Sequence, residues 1–173
     1  AVYNAWAGRA PIYMILGNTL DATVRRAGVE WYHSAQDAAA MVRDFTKWDD
    51  TPISLAHFGE SAVRAYKIAM TLPMEPVVLV VDSDLQEEAV AKDAKLRIPK
   101  LNLDAHPQGD SGAIAEAARL LAAAENPVVI AGRVARTPEG MQRLIEFAEA
   151  LQVPVIDQGN NLPSRHPLNQ GGG

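Results

Sequence analysis

Residues 76–82 read Pro-Val-Val-Leu-Val-Val-Asp, a continuous apolar run bounded by a proline and an acidic residue. The run is rich in β-branched side chains, which favour strands. It lacks the alternation of apolar and polar residues that marks a strand with one face in water. The sequence therefore predicts a strand buried on both faces, as in a parallel sheet covered by helices.

Working outward from this strand, the preceding sequence predicts further α/β elements. Over residues 54–71, apolar side chains recur at spacings of three or four and form one stripe, with Ser54 as the predicted N-cap and Pro73 ending the helix. Residues 11–17 (Pro-Ile-Tyr-Met-Ile-Leu-Gly) predict a second strand buried on both faces. The last turns of a helix are expected at residues 1–8, an irregular polar segment at 18–34 and a short helix at 35–45.

The second half of the chain repeats the alternation of helix and strand. Residues 127–132 and 153–157 predict two more strands. Thr137, Pro138 and Glu139 combine a cap residue, a proline at the first helical position and an acid near the helix dipole, which predicts a helix start. Another helix is expected from about residue 110 to 124, with three apolar side chains facing inward: Ile114, Ala118 and Leu121.

Between the two halves, residues 83–109 show no periodicity, and they carry many charges and two prolines. So long a stretch without structure is unusual inside a compact domain, which favours a linker. We therefore expect an α/β, Rossmann-like fold with parallel sheets flanked by helices, in two partial domains joined by a linker. The expected boundaries are residues 1–85, a linker at 86–109, and residues 110–173. Both ends of the chain are interpreted as the boundaries of a fragment.

Composition excludes several classes of function. The net charge of −5 offers no basic face for phosphates, so nucleic acid is not an expected partner. The apolar runs are far shorter than the roughly 20 residues that span a bilayer, and no secretory signal is recognised, so we expect a cytoplasmic protein without membrane contact. The absence of cysteine excludes disulfides, thiolate catalysis and Cys-ligated zinc.

Several short sequence motifs occur in an order that is typical of one family. Residues 5–11 (Ala-Trp-Ala-Gly-Arg-Ala-Pro) are followed by 33–37 (His-Ser-Ala-Gln-Asp), 45–48 (Phe-Thr-Lys-Trp), 62–70 and 76–85. The sequence thus resembles the second half of the pyrimidine-binding domain of thiamine-diphosphate-dependent enzymes of the acetolactate synthase and benzoylformate decarboxylase group. Residues 123–132 and the later Leu-Gln-Val-Pro-Val resemble the start of the central domain of the same family.

The resemblance implies an enzyme that uses thiamine diphosphate and Mg²⁺ between the subunits of a homo-oligomer, a dimer or a tetramer. Such enzymes decarboxylate 2-oxo acids, and some then join the product to a second carbonyl compound. The catalytic glutamate of the family lies before the stretch that this sequence matches, and its Gly-Asp-Gly metal motif lies after it. The resemblance therefore implies that this chain holds no catalytic residue and is not competent alone.

His33 and Gln36 are the candidate substrate-loop residues. The resemblance places this segment at the entrance of the active site, where a Gln can face the substrate. The alternative is an ordinary polar loop before a helix. Asp37 is interpreted as a first-turn residue that interacts with the helix dipole rather than as a catalyst.

Gly132 and Arg133 are the candidate cofactor-binding residues, because they follow a predicted parallel strand at the edge where nucleotides bind. Some relatives hold FAD or an ADP moiety near this position. FAD is not expected here, since the side chains of residues 133–136 replace the glycines of a phosphate loop. The alternative function is a nucleotide or small-molecule binding module without catalysis.

The remaining polar motifs are assigned structural roles. Residues 47–50 (Lys-Trp-Asp-Asp) are interpreted as a turn anchored by its Trp, with a binding patch as the alternative. His166, in the polar segment that begins at Asn160 and Asn161, is also interpreted as structural, because no carboxylate near in sequence could orient its ring. No spacing of His, Asp and Glu residues predicts a metal site.

Overall fold

The computed structural model describes residues 1–103, 107–159 and 161–171, so Asn160 lies outside the described residues. The chain divides into two compact units, Ala1–His106 and Pro107–Gly173, and the division falls within the segment expected to be a linker. Each unit is an α/β structure with a parallel sheet. Within the described residues, no helix combines the length and the apolar character needed to cross a membrane.

The first unit is built around a three-stranded parallel sheet with the order β1–β3–β2. Its strands are β1 (Tyr13–Asn18), β2 (Trp48–Asp50) and β3 (Val77–Asp82). Its helices are α1 (Val2–Ala7), α2 (Val29–His33), α3 (Leu55–Met70) and α4 (Ser83–Glu87), and two 3₁₀ turns cover Ala39–Met41 and Arg43–Phe45.

The central strand β3 is buried on both faces, which confirms the first prediction from the sequence. Val77, Val78, Leu79 and Val80 are each at most 2% exposed. Val78 and Val80 pack with Ala38 and Ala39, whereas Val77 and Leu79 pack with two alanines of α3, Ala65 and Ala69. Apolar groups therefore cover both sides of the strand, as its uninterrupted run of aliphatic residues requires.

The expectation that β1 is buried on both faces is wrong for this chain. Ile15, in the middle of the strand, is 60% exposed. Among the described residues β1 is an edge strand that pairs only with β3, and Ile15 belongs to neither of the apolar clusters that cover the faces of β3. An apolar run in the sequence indicates that a strand can be buried, but it does not indicate the position of that strand in the sheet.

Helix α3 begins and ends as its sequence predicts. The Ser54 hydroxyl accepts a hydrogen bond from the backbone N–H of His57 at 3.1 Å, which is the expected N-cap. At the other end, the Lys47 ammonium donates to the carbonyl oxygens of Ile68, Thr71 and Pro73 at 3.2, 2.7 and 2.9 Å. A cation thus satisfies carbonyl groups that the end of a helix leaves without partners.

Five short elements differ from the predictions. Residues 48–50, interpreted as part of a turn, form strand β2, and the helix expected at 35–45 is a pair of 3₁₀ turns. The segments 18–34 and 83–109, expected to be irregular, contain α2 and α4, each five residues long. Elements of three to five residues are too short to show a period in the sequence.

The second unit contains α5 (Ser111–Ala123), β4 (Val129–Ala131), α6 (Pro138–Leu151) and β5 (Val155–Asp157). The two strands pair in parallel, with Val129 opposite Val155. Thr137 caps α6 by accepting from the backbone N–H of Gly140 at 3.0 Å, as predicted. Leu144 and Ala148 of α6 are buried against both strands.

Helix α5 lies where it was predicted, but the prediction that its apolar stripe faces inward is wrong. None of its residues is buried within the described structure, and Ile114 is 58% exposed. The apolar spacing of Ile114, Ala118 and Leu121 identifies a stripe on the helix. It cannot identify what covers that stripe.

Candidate functional site

In a parallel α/β sheet, ligands approach the edge formed by the carboxyl ends of the strands. In the first unit, a cleft of about 170 Å³ lies at this edge, beside the ends of β1 and β3. Its lining is mostly polar: Asn18, Thr19, Glu30, His33, Ser34, Ser83, Gln86 and Glu87, with Gly17 and Val29. This cleft is the candidate substrate-side surface of the first unit.

The structure places only one of the two predicted substrate-loop residues at this cleft. His33, the last residue of α2, is exposed and lines the cleft. Gln36 is also exposed, but it is not among the lining residues. The two side chains, three positions apart in sequence, therefore do not form one constellation.

Asn18 is a site residue that the sequence did not reveal. Its side chain is buried at the end of β1, where it donates to the carbonyl of Ala35 at 2.7 Å and accepts from the amide of Ala35 at 3.1 Å. This pair of bonds ties the segment that follows α2 to the strand end and so sets the wall of the cleft. A single Asn after an apolar run carries no sequence signal for such a long-range bond.

Asp37 has a structural role in the described contacts, in agreement with its interpretation. Its carboxylate accepts from the amide of Ala40 at 3.0 Å, at the start of the first 3₁₀ turn. The Arg43 guanidinium donates to both oxygens of Asp37 at 2.9 and 3.0 Å and to Asp49 of β2 at 2.9 and 3.0 Å. The hydrogen bond from Arg43 is the main reason that the pKa of Asp37 lies below its ordinary value.

In the second unit, Gly132 and Arg133 follow β4 at the corresponding edge, and both are exposed. The next two backbone amides, of Val134 and Ala135, both donate to the side-chain oxygen of Asn161 at 3.0 Å. The Asn161 side-chain nitrogen donates to the carbonyl of Gly132 at 2.7 Å. The amides that a phosphate would use in this loop are thus engaged by a side chain of the same unit.

Asp157, at the end of β5, completes this buried network. It accepts hydrogen bonds from the side chain of Asn161 at 2.8 Å and from the amides of Gly159 and Leu162 at 3.0 and 2.8 Å. Burial acts to raise the pKa of Asp157, but the hydrogen bonds to its ionised form outweigh burial and lower the pKa to about 2. The two strand ends are also in close contact, because a Cβ on Gly159 would lie 2.5 Å from the carbonyl oxygen of Gly132.

The second unit is expected to lose stability as the pH falls. The folded pKa of Asp157, about 2, lies below the ordinary value of 3.8. Its ionised form therefore stabilises the fold fully above 3.8, and this contribution, about 2 kcal/mol, is lost as the pH falls through about 2. Urea unfolding between about pH 6 and pH 2.5, followed by circular dichroism, measures the slope. Asp157→Asn should flatten it and the exposed Glu125→Gln should not; an equally steep slope in Asp157→Asn contradicts the assignment.

The residues described here do not fit a magnesium–diphosphate site. No group of three or more His, Asp or Glu side chains in the described ranges could hold a metal ion. The engaged amides of Val134 and Ala135 likewise offer no free phosphate cradle. The described residues therefore supply neither a group of three metal ligands nor free amides in this loop for a phosphate.

His166 has the carboxylate partner that the sequence interpretation did not find. Its Nε2 lies 3.2 Å from a carboxylate oxygen of Glu149 on α6, and its Nδ1 accepts from the amide of Leu168 at 3.3 Å. The partner lies 17 positions earlier in the chain, outside the local sequence. Both ring nitrogens are engaged in holding the C-terminal segment on the helix, so the structural interpretation stands with a different reason.

Comparison with known proteins shows which enzymes the chain is similar to. Residues 114–173 match the sequence model of the thiamine pyrophosphate enzyme central domain. The sulfoacetaldehyde acetyltransferases of Rhodobacter capsulatus and Castellaniella defragrans are 22% and 26% identical to the chain, over 99% and 97% of its length. By these matches the chain is similar to thiamine-diphosphate-dependent enzymes, and residues 114–173 match their central domain. It spans only 28% and 27% of the length of these two relatives of the family.

Two solved structures have the same fold over the stretch that this chain matches. A protein from Mycobacterium smegmatis, described as thiamin diphosphate-dependent, superposes with a TM-score of 0.72 at 25% identity, over 98% of this chain and 32% of that one. Benzoylformate decarboxylase from Polynucleobacter necessarius gives a TM-score of 0.78 at 24% identity, with the same coverage. These superpositions confirm the α/β fold with parallel sheets that the sequence predicts.

Proposed function

We propose that this chain is part of a thiamine-diphosphate-dependent lyase or transferase that decarboxylates 2-oxo acids, with or without carboligation. In this proposal, residues 1–85 form the end of the pyrimidine-binding domain, residues 86–109 are the linker, and residues 110–173 form the start of the central domain. The observation that carries it is the alignment with the acetyltransferases, which runs through both units and the segment between them. The central-domain match on the second unit supports the order of the two domains.

The named relatives support the two branches of this chemistry. An acetyltransferase moves a two-carbon acyl group to an acceptor, and benzoylformate, the substrate named for the decarboxylase, is itself a 2-oxo acid. When bound, thiamine diphosphate would supply the stabilisation of negative charge on carbon that either reaction requires. The protein then selects the substrate and the fate of the product.

Within this proposal, the chain forms part of the wall of the active site and connects two domains, and it supplies no reacting group. His33 is the candidate for facing the substrate, because it is the predicted residue that lines the cleft at the strand ends. Gln36 is the weaker candidate, since it lies outside that lining. Gly132 and Arg133 are proposed to form a closed turn, because Asn161 engages the loop that follows them. Mg²⁺, a homo-oligomer and a cytoplasmic location belong to the same proposal.

Calorimetry of the 173-residue chain tests the assignment of the cofactor site. Titration with thiamine diphosphate and Mg²⁺ should give no saturable heat, because no group of three or more His, Asp or Glu side chains among the described residues could hold the metal ion. A protein that carries this sequence within the full length of its relatives should bind the pair and release CO₂ from 2-oxo acids such as benzoylformate. Micromolar binding by the fragment itself would show that the diphosphate site lies within it, against the proposal.

The alternative of a nucleotide receptor makes the opposite prediction in one further assay. Thermal denaturation of the same chain with FAD, ADP or coenzyme A should show no stabilisation, because Asn161 already satisfies the amides of Val134 and Ala135. A rise of several degrees in Tm with one of these nucleotides would favour the receptor.

A further inference from the structure

The first unit contains a second and larger cavity, of about 520 Å³, whose lining shares no residue with the His33 cleft. One wall is the segment that follows β2, with Pro52, Ile53 and Leu55, and the other is α4 with the residues after it, including Leu85 and Val90. Cavities that bind small molecules usually measure about 300–1,000 Å³. The cavity is therefore large enough for a compact organic ligand.

The lining combines an apolar surface with charge of one sign. Nine of its thirteen residues are apolar, and three of the other four are acidic: Asp82, Asp84 and Glu88. Among the described lining residues there is no lysine, arginine or histidine. An apolar wall with carboxylates as its only charges is complementary to a ligand that has an apolar body and a positive charge.

Local structure explains two of the three carboxylates. Asp82 accepts a hydrogen bond from the amide of Leu20 at 2.7 Å, which fixes the loop that follows β1. Asp84 lies in the first turn of α4, where a negative charge is favourable. Glu88 has no such explanation, because it is the C-cap of α4 and the carbonyl end of a helix disfavours a carboxylate.

Among the described residues, two of the three carboxylates lack an ion-pair partner and part of the apolar rim is exposed. Neither Asp84 nor Glu88 forms an ion pair with any residue that the structure describes. Ile53 on one wall is 87% exposed and Val90 on the other is 56% exposed. A ligand with a cationic group would neutralise the carboxylates and remove this apolar surface from water at the same time.

We propose that this cavity binds a small organic cation of the arylalkylammonium type. Its apolar body would lie against Ile53, Leu55 and Leu85, and its ammonium group would lie by Asp84 and Glu88. This binding site is separate from the His33 cleft and does not depend on the proposed 2-oxo acid chemistry. Its failure would leave the proposed function as it stands.

The test is an NMR titration of the 173-residue chain with 2-phenylethylammonium, with phenylacetate and 2-phenylethanol as anionic and neutral probes of similar size. The cation should bind saturably and shift the amide resonances of Ile53, Leu85 and Val90. Phenylacetate should bind at least about tenfold more weakly, and raising the salt from about 20 to about 500 mM should weaken the cation alone. Equal binding of the three probes, or no saturation by the cation up to about 10 mM, would overturn the proposal.

Two double variants separate the lining charges from the net charge of the protein. Asp84→Asn with Glu88→Gln should weaken binding of the cation at least about tenfold. The control is Asp93→Asn with Glu125→Gln, which changes the net charge equally at two exposed positions outside the lining and should leave the affinity unchanged. None of the four side chains is buried, so both variants should fold, with the circular dichroism of the parent. An equal loss of affinity in the control would show that the net charge of the protein causes the weakening, and it would contradict the proposed site.

Discussion

Replacing Asn161 with alanine is expected to destabilise the second unit by about 3–5 kcal/mol. The Asn161 side chain is 2% exposed and bonds the amides of Val134 and Ala135, the carbonyl of Gly132 and the carboxylate of Asp157. Alanine leaves two partly buried amides and one buried charged oxygen without these partners, and a buried polar group without a partner costs about 1–3 kcal/mol. In a unit with so small a core, this loss is a large fraction of the total stability.

The probe for this variant must report the second unit by itself. All tryptophans and tyrosines of the chain lie in the first unit, so intrinsic fluorescence does not follow the second. Amide hydrogen exchange at residues 134 and 135 should therefore accelerate in Asn161→Ala, with a lower urea midpoint by circular dichroism. Gln158→Ala, an exposed change three positions away, is the matched control. Unchanged exchange at 134 and 135 would show that Asn161 does not hold the loop.

Replacing Leu79 with alanine is expected to destabilise the first unit by about 2–5 kcal/mol. Leu79 is fully buried in the central strand and packs with Ala65 and Ala69 of α3. Truncation removes buried methyl groups and leaves a cavity between the strand and the helix, because a close-packed interior relaxes only in part. Trp48, which packs against the same cluster, lets tryptophan fluorescence follow this unit during urea unfolding.

The matched control for Leu79 lies directly across the sheet. Ile15 is the register partner of Leu79 on β1, so Ile15→Ala removes a side chain of the same size from the neighbouring strand. Because Ile15 is 60% exposed, its truncation should cost less than about 1 kcal/mol. Equal losses for the two variants would mean that β1 is covered in solution and that the exposed edge does not exist there.

The sequence predicted those helices and strands whose signals lie within their own residues. The apolar run at Val77–Asp82 and the capped, striped helices α3 and α6 carry their own signals, and all three occur where predicted. Strand β2 carries no such signal, because three residues of which two are acidic show neither an apolar run nor an alternation. Its pairing with β3 depends on the sheet that is already present.

The candidate site was less accessible to sequence reasoning, since it depends on contacts between distant residues. Asn161 engages amides 26 and 27 positions earlier, and His166 meets Glu149 on another element. His33 and Gln36 are close in sequence, yet only His33 lines the cleft, because the chain turns between them after α2. Residue type and spacing can suggest a candidate, but the fold decides which candidates share a surface.

The register of the two sheets has a consequence for the order of folding events. In the first unit, Tyr13 pairs with Val77, 64 positions later along the chain, and β2 joins the same central strand. In the second unit, Val129 pairs with Val155 across only 26 positions. Closing the longer loop costs about 0.8 kcal/mol more in chain entropy. In addition, the central strand of the first unit is synthesised after the two strands that pair with it. During synthesis, Tyr13–Asn18 therefore stays without its partner until Val77–Asp82 has emerged, and an exposed apolar strand in that interval is a natural target for chaperones.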